Sequence, residues 1–280
     1  MTSEFGNSCI QEDDLVFGNF TGSQMWNSPN AKSEDCLYLN VWTPVRSRHA
    51  EPLAVLVWIY GGSYYSGTSS LALYDGRYLA ATGGVVVVSL NYRLGPIGFL
   101  APLADETPGN VGLLDQQLAL KWVRDNIREF GGNPNNVTVM GESAGAASIG
   151  LHTIAPSSRG LFSRYFTNLC TIYVILLHYL YSTWVQHNYQ QPNVFLYHLS
   201  YRVSTNPWPI WMGVMHGYEI ELMFGTPWFG NSKFTRGYSD LDRSVSRRMV
   251  RYWTNFAKFG FVVLQIYSSV TEFVFWKRTY

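Results

Sequence analysis

The chain has 280 residues, enough to bury a substantial core in one large or two small domains. Its formal net charge is +1, so the overall charge gives no indication of a nucleic-acid partner. Residues 1–6 have neither the basic nor the apolar segment of a signal peptide, and the longest apolar run, 169–177, is too short to cross a bilayer. We therefore predict neither a signal peptide nor a transmembrane segment in this sequence.

The first half of the chain alternates predicted strands with a predicted helix. Continuous apolar runs at 53–60 and 85–91 are typical of strands buried on both faces. Shorter strands are predicted at 37–42 and 137–140. A helix is predicted at 110–130, with its apolar face formed by residues at helical spacing: Val111, Leu114, Leu118, Trp122 and Val123. This order predicts an α/β fold with a mostly parallel sheet.

The second half has fewer regular patterns. A strand is predicted at 193–199 and a helix at 239–259, where apolar side chains recur every three or four residues. The segment 169–184 is apolar and aromatic, but its period favours neither a helix nor a strand. The tail, 261–280, is also apolar and aromatic, and its pattern indicates no partner.

The stretch at 136–145, NVTVMGESAG, contains the candidate catalytic nucleophile. A short apolar strand runs directly into G-x-S-x-G, and small residues typical of a helix start follow. This is the nucleophile elbow, in which a serine hydroxyl is held exposed on a sharp strand-to-helix turn. Gly141 and Gly145 have no Cβ, so backbone can pass close to Ser143. The strand before the motif and the helix after it favour a nucleophilic Ser143 over a chance match.

Acyl transfer through serine also needs N–H donors for the oxyanion, a base, and an acid that orients the base. Ala144 and the glycine-rich loop Gly61-Gly62-Ser63, which follows a buried strand, occupy the usual donor positions, although such a loop can also be an ordinary tight turn. His216 has the chain order expected of the base. No Asp or Glu lies between Ser143 and His216. Either the acid comes from another part of the chain or the site is a dyad of Ser143 and His216. Because the base then lacks its usual orienting acid, we expect slow ester turnover.

Several segments together resemble the type-B carboxylesterase/lipase family, and specifically its cholinesterase branch. The resemblance is nearly continuous over about 8–166 and 193–258. It rests on SEDCLYLNVW at 33–42, WIYGG at 58–62, YDG at 74–76, NYRLG at 91–95, GNVGLLDQQLA at 109–119, FGGNP at 130–134, GESAGAA at 141–147 and WPIWMGVMHGYE at 208–219.

The resemblance implies an α/β-hydrolase fold, a single domain over 1–280, and hydrolysis of choline or other carboxylic esters through an acyl-serine. In the catalytic site it implies Ser143 as the nucleophile and His216 as the base. The N–H groups of Gly62, Ser63 and Ala144 would form the oxyanion hole. No metal or other cofactor is expected, and the oligomeric state is not predicted.

The resemblance also implies a site for the quaternary ammonium of a choline ester. Trp26 would hold the cation against its indole face, and Glu142 would add negative charge beside it. A Cys9–Cys36 disulfide would close the loop that carries Trp26. The resemblance further implies a protein that is extracellular or at the cell surface. Asn19 begins an Asn-Phe-Thr glycosylation sequon.

The chain departs from the family in three ways. The oxyanion loop has Ser63 where the family has a third glycine, and serine disfavours positive φ. The block around 168–190, which should contain the catalytic glutamate, is unlike the family. The ending at 260–280 is also unlike it. A truncated, internally deleted family member is therefore expected. The alternatives to an active esterase are a catalytically impaired ligand-binding protein and a truncated gene product, lacking the triad acid, that does not fold.

Overall fold

The computed structural model describes residues 4–45, 50–101, 109–168, 195–229, 237–261 and 273–277. Its strands, in chain order, are β1 (Ser8–Cys9), β2 (Lys32–Ser33), β3 (Leu39–Trp42), β4 (Leu53–Ile59), β5 (Val86–Leu90), β6 (Gly132–Glu142), β7 (Arg164–Asn168), β8 (Phe195–Leu199) and β9 (Phe273–Lys277). Within these residues the central sheet has five strands in the order β3-β5-β4-β6-β7. β3 runs antiparallel to β5, and every other neighbouring pair is parallel. The predicted α/β fold with a mostly parallel sheet is confirmed.

The middle of this sheet is buried because its sequence is apolar on both faces. In β4, Val55 to Ile59 are fully buried, and β5 is buried along its whole length. Val57 pairs with Val88 of β5 on one side and with Val139 of β6 on the other. This register brings the carboxyl ends of β4 and β6 together, which positions the loops that follow them.

The helices are α1 (Thr21–Gln24), α2 (Arg77–Gly83), α3 (Gly95–Phe99), α4 (Val111–Asn126), α5 (Ala144–Ile154), α6 (Ile220–Phe224), α7 (Thr226–Phe229) and α8 (Asp240–Phe259). Short 3₁₀ turns lie at Ala72–Tyr74, Ile127–Phe130, Pro156–Ser158 and Ile210–Met212. The predicted helix at 110–130 is confirmed as α4 with its 3₁₀ extension. α2, α4, α5 and α8 pack against the sheet.

The buried face predicted for α4 is wrong in part. Leu114 and Leu118 are 47% and 61% exposed, whereas the polar residues Asp115, Gln116 and Gln117 are buried. Each buried polar side chain is hydrogen-bonded: Asp115 to Arg93, Gln116 to Ser148 and His152, and Gln117 to Ser157 and Ser158. Burial of these groups is tolerated because each has a partner, which apolar periodicity cannot reveal.

The predicted helix at 239–259 is confirmed as α8. Ser239 caps it, since the Ser239 hydroxyl accepts from the Asp242 N–H while the Asp242 carboxylate accepts from the Ser239 N–H. The tail does have a strand partner: β9 pairs antiparallel with β8. The apolar segment 169–184 and Cys170 lie outside the described residues. In the part of the chain that is described, no helix is long and apolar enough to span a membrane.

Candidate active site

Ser143 lies on the turn between β6 and α5. Its backbone has φ 54° and ψ −122°, a conformation that is uncommon for a residue with a side chain. Its N–H donates to the carbonyl of Asn168 at the end of β7, at 3.0 Å. Such strain is characteristic of functional turns, where the surrounding structure enforces it. The strand, the strained serine and the helix together form the elbow of the α/β-hydrolase fold.

The two glycines of the motif are required by close backbone contacts. A Cβ built on Gly141 would lie 2.8 Å from the carbonyl oxygen of Ile59, and one on Gly145 would lie 2.1 Å from the same atom. Ile59 is the last residue of β4. The elbow is therefore pressed against the carboxyl end of the neighbouring central strand.

The glycine-rich loop lies directly against the elbow. A Cβ on Gly61 would lie 2.8 Å from Cβ of Ser143. The carbonyl of Gly62 accepts from the N–H groups of Tyr65 and Ser66, both at 3.1 Å, so the loop closes as a tight turn. Gly62 has φ 115° and Ser63 has φ 53°. The serine at the third position is thus in the left-handed region that glycine adopts more easily.

Ala144 is the first residue of α5. The N–H groups in the first turn of a helix have no carbonyl partner within the helix, so they are free to bind an anion. The structure brings the two segments that carry the predicted donors next to Ser143: the glycine-rich loop touches it through Gly61, and α5 begins at Ala144.

Three histidines lie in the described part of the chain, and their environments differ. Both ring nitrogens of buried His152 are occupied, Nδ1 by the Ser158 hydroxyl and Nε2 by the Gln116 side chain, each at 3.0 Å. Burial lowers the pKa of His152 to about 4, so it stays neutral. His198 lies exposed on β8. His216 lies on the loop before α6 and contacts Glu142, the residue that precedes Ser143.

The His216–Glu142 contact is the main electrostatic feature of the site. Nε2 of His216 lies 2.7 Å from Oε1 of Glu142, whose side chain is only 6% exposed. No hydrogen-bond donor in the described residues is aligned on this buried oxygen, so the contact is an ion-pair approach rather than a well-directed hydrogen bond. The Glu142 contact raises the pKa of His216, and burial of the ring opposes this shift.

Glu219 is a second acidic residue whose charge acts on His216. It is half-buried at the N-terminal end of α6. Burial, followed by the charge of Glu142, raises the pKa of Glu219 to about 7. At neutral pH Glu219 therefore carries only part of a negative charge.

Trp26 lies beside these groups. A Cβ on Gly217 would lie 3.1 Å from Cη2 of Trp26 and 3.8 Å from Oε1 of Glu142. The Trp26 ring also packs edge-on against Tyr218, with centroids 6.4 Å apart. The structure thus brings the predicted cation-binding residues, Trp26 and Glu142, within 4 Å of one point beside Gly217.

The loop that carries Trp26 is closed as predicted. Cys9 and Cys36 form a disulfide, with a sequence separation of 27. Closing a loop of this length stabilises a fold by about 3–4 kcal/mol in the chain-entropy account. Asn19, in the same loop, is exposed. The third cysteine of the chain, Cys170, lies outside the described residues.

Sequence reasoning missed the partner of His216. Glu142 and His216 are far apart in the chain, and no spacing rule connects them. The sequence assigned Glu142 to the cation site, and the structure places its carboxylate against the histidine as well. The absence of any acid between Ser143 and His216 was the available signal that a carboxylate elsewhere could occupy this position.

Comparison with known proteins agrees with the fold and the elbow. The carboxylesterase family model matches residues 1–168 and 165–264. A protein named acetylcholinesterase from Danio rerio is 59% identical over 162 residues, which are 58% of this chain and 25% of that protein. Acetylcholinesterase from Electrophorus electricus is 57% identical over 162 residues, again 58% and 25%. Acetylcholinesterase 4 from Caenorhabditis briggsae is 59% identical over 158 residues, 56% of this chain and 26% of that protein.

These matches span about a quarter of the length of each relative. The family model, by contrast, extends over most of this chain and includes the elbow, the glycine-rich loop and His216. On this evidence the chain belongs to the carboxylesterase family and has its α/β-hydrolase fold.

Proposed function

We propose that this chain is a serine ester hydrolase of cholinesterase type, which cleaves choline esters through an acyl-serine intermediate. The observation that carries the proposal is the strained turn at Ser143, with the glycine-rich loop pressed against it. Ser143 is the nucleophile, His216 the base, and the N–H groups of Gly62, Ser63 and Ala144 stabilise the oxyanion. Hydrogen-bond donors held in place before the reaction are the largest single source of rate enhancement in such sites.

The test is hydrolysis of acetylthiocholine by the purified 280-residue chain, compared with a thioester in which carbon replaces the ammonium nitrogen. We expect Ser143-dependent hydrolysis of both, with the cationic substrate preferred. A fluorophosphonate should add one equivalent to wild type and to Ser163→Ala, an exposed serine, but none to Ser143→Ala. Binding of a quaternary ammonium without turnover or labelling of Ser143 would instead identify a non-catalytic binding protein.

The choline part of the proposal depends on Trp26. We expect Trp26→Ala to weaken binding of tetramethylammonium by about 1–2 kcal/mol, or roughly 5- to 30-fold, because the indole face supplies a partly desolvated cation–π contact. Calorimetry on the purified chain measures this difference. Trp211→Ala is the matched control, since Trp211 is 84% exposed, and it should bind as wild type does. Equal affinity for wild type and Trp26→Ala would remove the choline assignment.

The proposed location is extracellular or at the cell surface. The Cys9–Cys36 disulfide supports it, because disulfides persist in oxidising compartments. The exposed Asn19 also supports it. We expect protein expressed in eukaryotic cells behind a supplied signal peptide to carry one glycan at Asn19, seen as a mass shift that Asn19→Gln abolishes. An unmodified Asn19 peptide in the secreted protein would remove the glycosylation argument for this location.

A further inference from the structure

We propose that Glu142 is the carboxylate that positions His216 in this chain, so that the proton is held on Nε2 and the lone pair of Nδ1 faces the reaction. The inference deepens the proposed ester hydrolysis and rests on it. Glu142 acts here as a positioning residue, since it touches the base and not the ester carbon. In serine proteases the acid accepts a hydrogen bond from the N–H at Nδ1 and Nε2 is the base, so the two nitrogens exchange roles here.

The support for this role is the closeness of two groups of opposite charge, since the contact is not a well-directed hydrogen bond. Oε1 of Glu142 is 2.7 Å from Nε2 of His216, and the Glu142 side chain is 6% exposed. Glu142 is the last residue of β6 and pairs with Asn168 of β7, so the backbone that carries it belongs to the central sheet. A carboxylate on a rigid strand can fix a histidine on a loop. The ring itself is half exposed and needs such a contact to hold one orientation.

No other acid in the described residues fits as well. The charged groups that act on His216 are Glu142 at the end of β6 and Glu219 at the start of α6. Glu219 is only partly ionised at neutral pH, because burial and Glu142 raise its pKa to about 7. Glu221 is bonded to the Tyr238 hydroxyl, so its carboxylate is engaged elsewhere. Residues 144–215, where the family's acid would be expected from the order Ser, acid, His, contain no Asp or Glu.

The proton transfers balance with Nδ1 as the base. As the Ser143 oxygen bonds to the ester carbonyl carbon, its proton moves to Nδ1 and the carbonyl electron pair moves onto the oxygen. When the tetrahedral intermediate collapses, the bond to the leaving alcohol breaks and the alcohol takes the proton from Nδ1. Water repeats both transfers to release the acid. Throughout, Glu142 stabilises the imidazolium and keeps its other proton on Nε2.

The first test measures the tautomer of His216 in the wild-type chain, and therefore needs no variant at Glu142. Two-dimensional ¹H–¹⁵N spectra of protein labelled at histidine nitrogen distinguish a proton on Nε2 from one on Nδ1, and the signal missing from His216→Gln assigns the residue. We expect neutral His216 to carry its proton on Nε2. A proton on Nδ1 would overturn the inference, because Nε2 would then be the free base.

The second test compares Glu142→Gln with Glu219→Gln. Removing the Glu142 charge should lower the pKa of His216, so the pH midpoint for fluorophosphonate labelling of Ser143 should move to lower pH. The labelling rate should also fall at least tenfold, given that the equivalent carboxylate-to-amide change costs about 10⁴ in a serine protease. Glu219→Gln should move the midpoint less and should retain the Nε2 proton.

The possible outcomes distinguish a failure of the positioning role of Glu142 from a failure of the proposed ester hydrolysis. Labelling of Ser143 with the same rate and pH midpoint in Glu142→Gln would overturn the role of Glu142 and leave the ester hydrolase proposal standing. No labelling at any pH, together with an Nε2 proton on His216, would overturn the hydrolase proposal while supporting the positioning contact. Circular dichroism of Glu142→Gln verifies that the change in rate is not a loss of fold.

Discussion

Replacing His216 by glutamine is expected to cause the largest loss of activity of any single change that leaves the nucleophile Ser143 in place. The rate of Ser143 acylation should fall by several orders of magnitude, up to about 10⁶, the loss seen when the base is removed from a serine protease. The physical reason is that a serine hydroxyl attacks poorly unless a neighbouring base accepts its proton. The measurement is the second-order rate of fluorophosphonate labelling, followed by intact mass.

His198→Gln is the matched control for this experiment. His198 is an exposed histidine on β8, and the same replacement there should leave the labelling rate unchanged. An equal loss in both variants would indicate a general effect of histidine replacement. A His216→Gln protein that reacts as fast as wild type would show that another group accepts the proton.

The largest loss of stability is expected from Gly145→Ala. The added Cβ would lie 2.1 Å from the carbonyl oxygen of Ile59 and 2.8 Å from that of Tyr60, and both are backbone atoms at the carboxyl end of the central strand β4 that cannot rotate away. Forcing an atom into such a contact costs about 3 kcal/mol or more in free energy of unfolding. Denaturant unfolding at constant pH measures the difference.

Gly150→Ala provides a control within the same helix. Gly150 is also in α5, and a Cβ there would meet nothing within 4 Å. Alanine in an open helical position should stabilise the protein by about 0.5–1 kcal/mol, because glycine loses more backbone entropy on folding. Destabilisation of both variants by the same amount would mean that α5, and not the contact with β4, is sensitive to alanine.

Sequence patterns predicted the parts of the fold in which a local signal coincides with the tertiary environment. The continuous apolar runs of β4 and β5 require burial on both faces, and only a central position in the sheet provides it. The elbow was predictable because its two glycines, its serine and the flanking strand and helix are contiguous. The Cys9–Cys36 pairing came from family resemblance, since cysteine spacing alone does not fix connectivity.

The parts that could not be predicted depend on partners distant in the chain. α4 buries Asp115 because Arg93 binds it through two nitrogens, which no periodicity of α4 can indicate. β7 escaped prediction because its residues, Arg164 to Asn168, are mostly half-buried and lack an apolar run. The contact of Glu142 with His216 is of the same kind. It depends on how β6 and the loop before α6 pack together, and neither segment has a sequence feature that indicates contact with the other.

The position of Glu142 has a consequence for any cation that binds beside Trp26. Its Oε1 faces Nε2 of His216 and also lies near Gly217, against which Trp26 packs. One buried carboxylate would thus face both a proton on the histidine and a cation on the indole, and these two positive charges would repel each other. Binding of a choline-type ligand would therefore expel the extra proton from His216 and leave the ring in the neutral form that accepts the serine proton. Linkage is reciprocal, so the same ligand would bind more tightly as the pH rises through the pKa of His216.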